Sequence, residues 1–346
     1  MNYSTPRMPA EWEPHAATWL AWPHNRRDWP GKFTPIPFVY AEIIRHLARH
    51  ERVELIVEDA AAEARVRRLL LRAGAPAGNV GFHRWPTDRI WLRDSGCGFR
   101  LGPDGLSAVD WRFNAWAKYP DWQRDEAIAG RMARTAGAPA HRPKAGGRRV
   151  VLEGGAIEVN GRGTLITTEE CLLDTVQQRN PGLDRAGYER VFAQALGVTR
   201  VIWLERGIAG DDTHGHVDDL TRFVAADTVV TMVEPDPAHP NHQPLRENLR
   251  RLRAAADQDG RPLRVLELAM PGPVTFDGAG LPASYANFYI ANGLVLVPVF
   301  NDRNDRAALN LLAGLFPDRE VVGIYAGDLI LGFGALHCLT QQQPRT

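Results

Sequence analysis

Asn287-Phe288-Tyr289-Ile290-Ala291-Asn292-Gly293-Leu294-Val295-Leu296-Val297-Pro298-Val299-Phe300 reads as one complete hairpin. Apolar runs over 288–290 and 294–300 flank Asn292-Gly293, and Asn-Gly between such runs is a strong signal for a tight turn. A helical stretch follows at 307–315, then a short apolar run at 321–325 that reads as a buried strand. The same order recurs upstream. Hairpins are expected after Asp94, with a turn at Gly102-Pro103-Asp104-Gly105; after Glu153, with a turn at Asn160-Gly161; and after His216, over 220–224 and 228–233. Helices at 122–134, 188–196 and 245–255 follow them, with strands at 201–204 and 263–268. The N-terminal part adds helix 40–49, strand 53–57 and a further pair ending at 80–82. This alternation predicts an α/β architecture. A polar residue stands at the mouth of each hairpin, and Asp94, Glu153, His216, Asn287 and Cys338 recur every ~50–70 residues. In a circular repeat, equivalent positions converge on one axis, so these groups would share one pocket.

The chain has 346 residues, 44% hydrophobic and 24% charged, enough to bury the core of one large domain or two modest ones. Lys plus Arg equals Asp plus Glu at 41 each, so no net field favours nucleic acid or an anionic membrane, and no basic run is interleaved with aromatics. No apolar run is long enough to span a bilayer, and residues 1–12 lack the features of a signal peptide. The cysteines Cys97, Cys171 and Cys338 cannot all pair and match no zinc spacing, so they read as reduced thiols of a cytoplasmic protein. The Gly/Pro-rich stretches 139–147 and 271–282 are expected as surface loops.

The polar landmarks, with Asp218 two residues after His216, together offer one thiol, one imidazole and three carboxylates. Cys338 lies in Gly334-Ala335-Leu336-His337-Cys338-Leu339-Thr340-Gln341, where glycines permit close backbone approach and the polar tail 340–343 does not look like a buried strand. His216 is the candidate acid/base, because an imidazole titrates near neutrality. On a strand, His216 and Asp218 would face the same side. The His214-Gly215-His216-x-Asp218 string is an incomplete metal set, and no metal or other cofactor is expected. Asp94 and Glu153 alone would read as turn or surface residues. Taken together, the carboxylates suit a guanidinium, which is planar, cationic and gripped bidentately by carboxylates. Trp91, which shares strand parity with Arg93, is the candidate for stacking on that cation. Trp111 and Trp116 read as hairpin packing, Cys171 as structural, and Cys97 as near the site without acting.

The segments Trp12-Glu13-Pro14-His15, Trp91-Leu92-Arg93-Asp94-Ser95-Gly96, Trp111-Arg112-Phe113-Asn114-Ala115-Trp116, Glu153-Gly154-Gly155, Asp212-Thr213-His214-Gly215-His216-Val217-Asp218, Ser284-Tyr285-Ala286-Asn287 and His337-Cys338-Leu339-Thr340-Gln341-Gln342-Gln343 carry a resemblance. In this order, over essentially the whole chain, they resemble the agmatine deiminase family, the bacterial peptidylarginine deiminase-like enzymes. The resemblance implies the pentein fold, a five-bladed α/β propeller of ββαβ-type units about a pseudo-fivefold axis, as a single catalytic domain over 1–346. It implies hydrolysis of agmatine to N-carbamoylputrescine and ammonia without a cofactor, in a homo-oligomer, specifically a dimer. Residue by residue, it casts Cys338 as nucleophile, His216 as acid/base, Glu153 as the carboxylate supporting it, and Asp94 and Asp218 as the guanidinium clamp. The chain departs from the pattern at Cys97, where Pro is usual, at Ala335, where Asn is usual, and at Ala117-Lys118-Tyr119, where Gly is common. These departures bear on the substrate's far end, for which Arg93, Lys118 and Asp212 are the residues to inspect. The same chemistry on free, methylated or peptidyl arginine is the nearest alternative, and a silent guanidine-binding protein is the non-enzymatic one. A Cys-His peptidase or acyl transferase is disfavoured by so many carboxylates around the pair.

Overall fold

Five sheets of three or four strands and two short ribbons form over residues 5–346, the part of the chain that the computed structural model describes. Four of the sheets share one pairing scheme. Two antiparallel strands are followed by a helical segment, and a third strand returns parallel to the second. These strands are Gly98–Gly102, Gly105–Val109 and Ala140–His141; Glu158–Val159, Thr164–Thr168 and Arg200–Leu204; Thr221–Ala225, Thr228–Val233 and Arg264–Ala269; and Tyr289–Ala291, Leu294–Val299 and Glu320–Tyr325. A parallel return needs a crossover. Helices Arg185–Leu196, His242–Ala254 and Asp305–Leu315 supply three of these, while the first sheet uses two shorter pieces, Gln123–Glu126 and Ile128–Thr135, where one helix was expected.

The fifth sheet draws on sequence-distant parts. Gln341–Pro344 runs antiparallel to His15–Ala21, which pairs in parallel with Arg52–Val57, and that strand in parallel with Val80–Arg84. Helix Ile36–His50 buries Ile36, Tyr40, Ile43, Ile44 and Leu47, the spacing of one helix face. The middle strands Thr228–Val233 and Leu294–Val299 are buried on both faces over nearly their whole length, so they read as mostly apolar runs and not as an alternation. Pro298 fits in its strand because it lies beyond Leu296, the last residue paired with the antiparallel neighbour.

Three expectations need correction. Residues 139–147 are not only a loop, since Ala140–His141 completes the first sheet and Lys144–Ala145 pairs with Arg148–Arg149. Their exposed, polar two-residue strands carry no apolar run to reveal them. Residues 271–282 form a ribbon, Thr275–Phe276 with Ala279–Gly280. The tail 340–343 is largely a buried strand, with Gln341 only 2% exposed. Its amides are buried because they find partners. Gln342 Oε1 accepts from Arg93 Nη1 at 2.7 Å, and Gln343 Oε1 accepts from Trp19 Nε1 at 3.0 Å.

A buried charge cluster ties these sheets together. Glu11 Oε1 accepts from Arg222 Nη2 and from the amide of Ile290, both at 2.8 Å. Its Oε2 lies 3.1 Å from Arg93 Nη2 and 2.9 Å from His337 Nε2. Arg222 also reaches Glu158 Oε2 at 2.8 Å and the carbonyls of Ala286 and Phe288. Burial opposes the charge on Glu11, but Arg222, His337 and Arg93 hold its carboxyl well below the ordinary range. Removing one partner of a buried ion pair leaves the other charge uncompensated. Arg222→Ala is therefore expected to destabilise the fold by about 3–5 kcal/mol, read as a lowered midpoint in urea unfolding.

Candidate active site

Just before each hairpin, the backbone makes a short turn that aims one side chain inward. Asp94 lies on helix Leu92–Ser95, Glu153 precedes the turn Gly154–Ala156, His216 precedes the turn Val217–Asp219, and Cys338 lies on helix Leu336–Leu339. His216 and Asp218 are thus not on a strand, and same-side parity is not what joins them. The turn brings His216 Nδ1 to 3.9 Å from Asp218 Oδ1, and Asp94 Oδ1 lies at the same distance from Nδ1. His216 Nε2 points the other way, 3.6 Å from Glu153 Oε2. Cys338 Sγ lies 3.6 Å from Asp218 Oδ2. Cys338, His216, Glu153, Asp94 and Asp218, expected from sequence to meet, do meet, and all are buried. Gly155 leaves the room between them. A Cβ there would stand 2.5 Å from His216 Nδ1, 3.0 Å from Asp94 Oδ1 and 3.1 Å from Asp218 Oδ2.

Asp94 and Cys338 line a cavity of about 650 Å³. Trp91, Trp116, Tyr119, Phe276 and Phe333 give it aromatic walls. Trp91 therefore reaches the cavity, but from the N-cap of a helix and not from a strand, so the parity with Arg93 is void. Arg93 turns into the charge cluster and does not line the cavity. Lys118 is held by Asp212 at the rim, where Tyr119 Oη also donates to Asp212 at 2.6 Å. His214 turns towards Asp174 and away from His216. Trp111 packs in a core cluster with Val109 and Leu152, as expected, but Trp116 does not merely pack. Its Nε1 donates to Asp94 Oδ2 at 3.0 Å, from a segment whose residues Ala115, Trp116 and Ala117 all have positive φ. Left-handed backbone costs a non-glycine residue about 1–2 kcal/mol, so the local strain is held in place by that bond and by Asn114, which caps Ala117.

Sequence reasoning missed several participants. Asn287 was visible only as a landmark; its Nδ2 donates to Cys338 Sγ at 3.1 Å and to Asp219 Oδ1 at 2.9 Å. His337 lies with Nδ1 2.7 Å from Asp218 Oδ2, linking the site to Glu11. Arg179 Nε donates to Glu153 Oε1 at 3.2 Å. Cys171 is not remote from the chemistry but joins Glu153 and His216 in a buried group whose donor atoms lie within 4.8 Å of one another. No pattern of spacing marks Arg179 or Glu11; Asn287 and His337 could have been suspected from their places at a hairpin mouth and beside Cys338.

The charges are unevenly compensated. Burial raises Asp94 to about 6, Asp218 and Glu153 add to that, and His216 opposes it. Burial also raises the Cys338 thiol well above its ordinary value, reinforced by Asp218, Asp219 and Asp94. Glu153 goes the other way: despite its burial, Arg179 and His216 hold it at about 2. Burial would lower His216, but Asp94, Cys171 and Glu153 carry it well above the ordinary imidazole range. Glu153 Oε2, both His216 ring nitrogens and Asp218 Oδ1 have no hydrogen-bond partner among the described residues. Such an arrangement sets negative charge at Asp94 and Asp218 beside a sulfur, with a proton-carrying imidazole within reach.

Residues 7–344 match the model of the Porphyromonas-type peptidyl-arginine deiminase family. The chain is 37% identical to an agmatine deiminase of Stutzerimonas stutzeri, over 99% of this chain and 97% of that protein. It superposes on the agmatine deiminase of Enterococcus faecalis with a TM-score of 0.90 at 30% identity, covering 98% of this chain and 96% of the other. An agmatine deiminase of C. jejuni with substrate bound gives a TM-score of 0.86 at 26% identity, covering 99% and 97%.

Two outcomes are expected. Gly155→Ala, with its methyl group against His216 and both aspartates, lowers kcat/KM by about 100-fold or more while the circular dichroism spectrum stays that of the wild type. Because Asp94 titrates at about 6 in the free protein, kcat/KM for a cationic guanidine falls as pH drops through that value and the carboxylate is lost. A kcat/KM profile that stays flat between pH 7 and pH 5 would contradict this.

Proposed function

The chain belongs to the Porphyromonas-type peptidyl-arginine deiminase family, and from that premise we propose that it is an agmatine deiminase, a hydrolase of C–N bonds in linear amidines. It converts agmatine and water to N-carbamoylputrescine and ammonia, a step towards putrescine. The observation that carries the assignment to this site is the convergence of Cys338, His216, Asp94 and Asp218 around the space left by Gly155.

The guanidinium binds against Asp94 and Asp218. Its positive charge offsets the carboxylates that keep Cys338 protonated, so the substrate itself favours the thiolate. Asn287 Nδ2 stabilises that sulfur. Attack on the guanidinium carbon forms a C–S bond and a tetrahedral intermediate. His216 gives its proton to the leaving nitrogen, and ammonia departs. Water, deprotonated by His216, then adds to the S-alkylthiouronium. Collapse breaks the C–S bond, frees the ureido product and returns the sulfur. Glu153, fixed by Arg179, supports the imidazolium from its Nε2 side. Trp91 and Trp116 flank the alkyl chain.

The cavity charges favour an amine tail over an amino-acid end. The lining cations are Arg27 and Arg89, and both are paired with Asp121, Arg89 also with Asp28. Each already faces a carboxylate, and Asp277 and Asp212 add negative charge to the same lining. The proposal extends to a single catalytic domain whose five sheets are the blades of a pentein propeller, supported by the repeated pairing scheme and by the contacts of Glu11. It also extends to a homodimer in the cytoplasm, where Cys97, Cys171 and Cys338 would stay reduced, and to the absence of any cofactor.

A panel of guanidino compounds, assayed for both ammonia and ureido product, tests this. Agmatine is expected to turn over with kcat/KM at least about tenfold above free arginine or an arginyl peptide. Cys338→Ser is expected to bind agmatine but lose turnover. Equal turnover of arginine would reject agmatine as substrate, and an active Cys338→Ser variant would reject the covalent mechanism.

A further inference from the structure

Behind His216 lies a thiol that the mechanism above does not use. Cys171 is buried on helix Glu169–Leu173, and its sulfur, a ring nitrogen of His216 and a carboxylate oxygen of Glu153 are mutually within 4.8 Å. Nε2 is the ring nitrogen that faces Glu153. If Nδ1 trades protons with the reacting groups, Nε2 has to keep its own proton throughout, and a buried N–H needs an acceptor. Glu153 alone is a poor one. Its Oε1 is tied to Arg179, and its Oε2 is 3.6 Å from Nε2, beyond a good N–H···O bond. Both Nε2 and Oε2 are fully buried with no hydrogen-bond partner among the described residues. A sulfur, larger and softer than oxygen, suits such a gap.

Resting on the deiminase assignment, we propose that Cys171 is a positioning residue for His216. Its sulfur accepts the Nε2 proton, and its own S–H is directed to Glu153 Oε2, which locks the ring with Nδ1 towards Asp94 and Asp218. The local backbone is built for this. Thr168 Oγ1 accepts from the Cys171 amide at 3.1 Å and donates to the carbonyl of Gly215 at 2.5 Å, so one side chain fixes both the helix that carries Cys171 and the segment that carries His216. The Arg179 guanidinium continues the bracing, donating to the Thr213 carbonyl at 2.5 Å.

The test compares Cys171→Ala and Cys171→Ser with the wild type in the full chain. In the alanine variant kcat for agmatine falls by roughly 10-fold to 100-fold while KM stays within about twofold, because the clamp on the guanidinium is untouched. The basic limb of the kcat profile moves to lower pH, since Cys171 is one of the groups that favour the imidazolium. Serine, which keeps an acceptor and a donor but reaches less far than sulfur, restores part of the rate. The second readout needs no substrate. Nitrogen-15 NMR of labelled histidine, followed up in pH until the His216 imidazolium has lost a proton, shows the neutral ring protonated at Nε2 in the wild type and a mixture of tautomers in Cys171→Ala. Unchanged nitrogen shifts in the alanine variant overturn the proposal, whatever the substrate proves to be. Equal loss of rate in the alanine and serine variants, with an unmoved pH limb, overturns it in favour of packing alone.

Discussion

Buried negative charge is the constraint on which this structure depends. Five carboxylates, Glu11, Asp94, Glu153, Asp218 and Asp219, lie within a few side chains of one another, all essentially out of water. Each would be costly alone. The protein meets that cost differently on the two sides of the site. On the inner side, Arg93, Arg222 and Arg179 pair directly with Glu11 and Glu153, and His337 bridges Glu11 and Asp218. On the cavity side, Asp94 accepts from the neutral donors Trp116 and Gly155 and has the His216 ring 3.9 Å away, with no arginine or lysine paired to it among the described residues. The inner side is a fixed scaffold of charge, whereas the outer side is only partly compensated. That asymmetry goes with a thiol held well above its ordinary range in the free protein, which in the proposed mechanism the cationic substrate relieves.

The scaffold also fixes Cys338, the proposed nucleophile. Cys338 stands just ahead of strand Gln341–Pro344, and that strand is held in the sheet by His15–Ala21 and by the buried amide contacts of Gln342 and Gln343. The amide of His337 donates to Asn287 Oδ1 at 3.0 Å, and Asn287 Nδ2 donates to the sulfur. The loop that carries the thiol is therefore pinned from the fourth sheet and the fifth together. A change in either sheet would move the sulfur relative to Asp94, which belongs to the first.

The repeat was legible because each unit carries its own local signals. Asn160-Gly161 and Asn292-Gly293 demand tight turns, and the apolar strands 228–233 and 294–299 can only be buried. The site was legible to the extent that its members stand where those local signals begin. Asp94, Glu153, His216 and Cys338 could be picked because each sits at the entrance to a hairpin or to the closing strand. Cys171 and Trp116 were taken as packing residues because they lie inside a helix and after a hairpin, where nothing local distinguishes a core residue from one that touches the site. The glutamines of the tail were taken as exposed because an amide is buried only when a partner is available, and the partners Arg93 and Trp19 lie hundreds of residues away.

The sequence by itself thus determined the succession of hairpins, helices and strands, the chemical types gathered at their mouths, and, through its resemblance, the family. These depend on interactions over a few residues or on motifs that can be compared directly. Only the tertiary structure decided how the imidazole is oriented, which carboxylates are compensated, and which are left for a substrate. Those properties depend on distances of 3–4 Å between residues such as Glu11 and His337, and on the dielectric created by burying them. No local pattern encodes them, because each partner would look ordinary in its own stretch of chain.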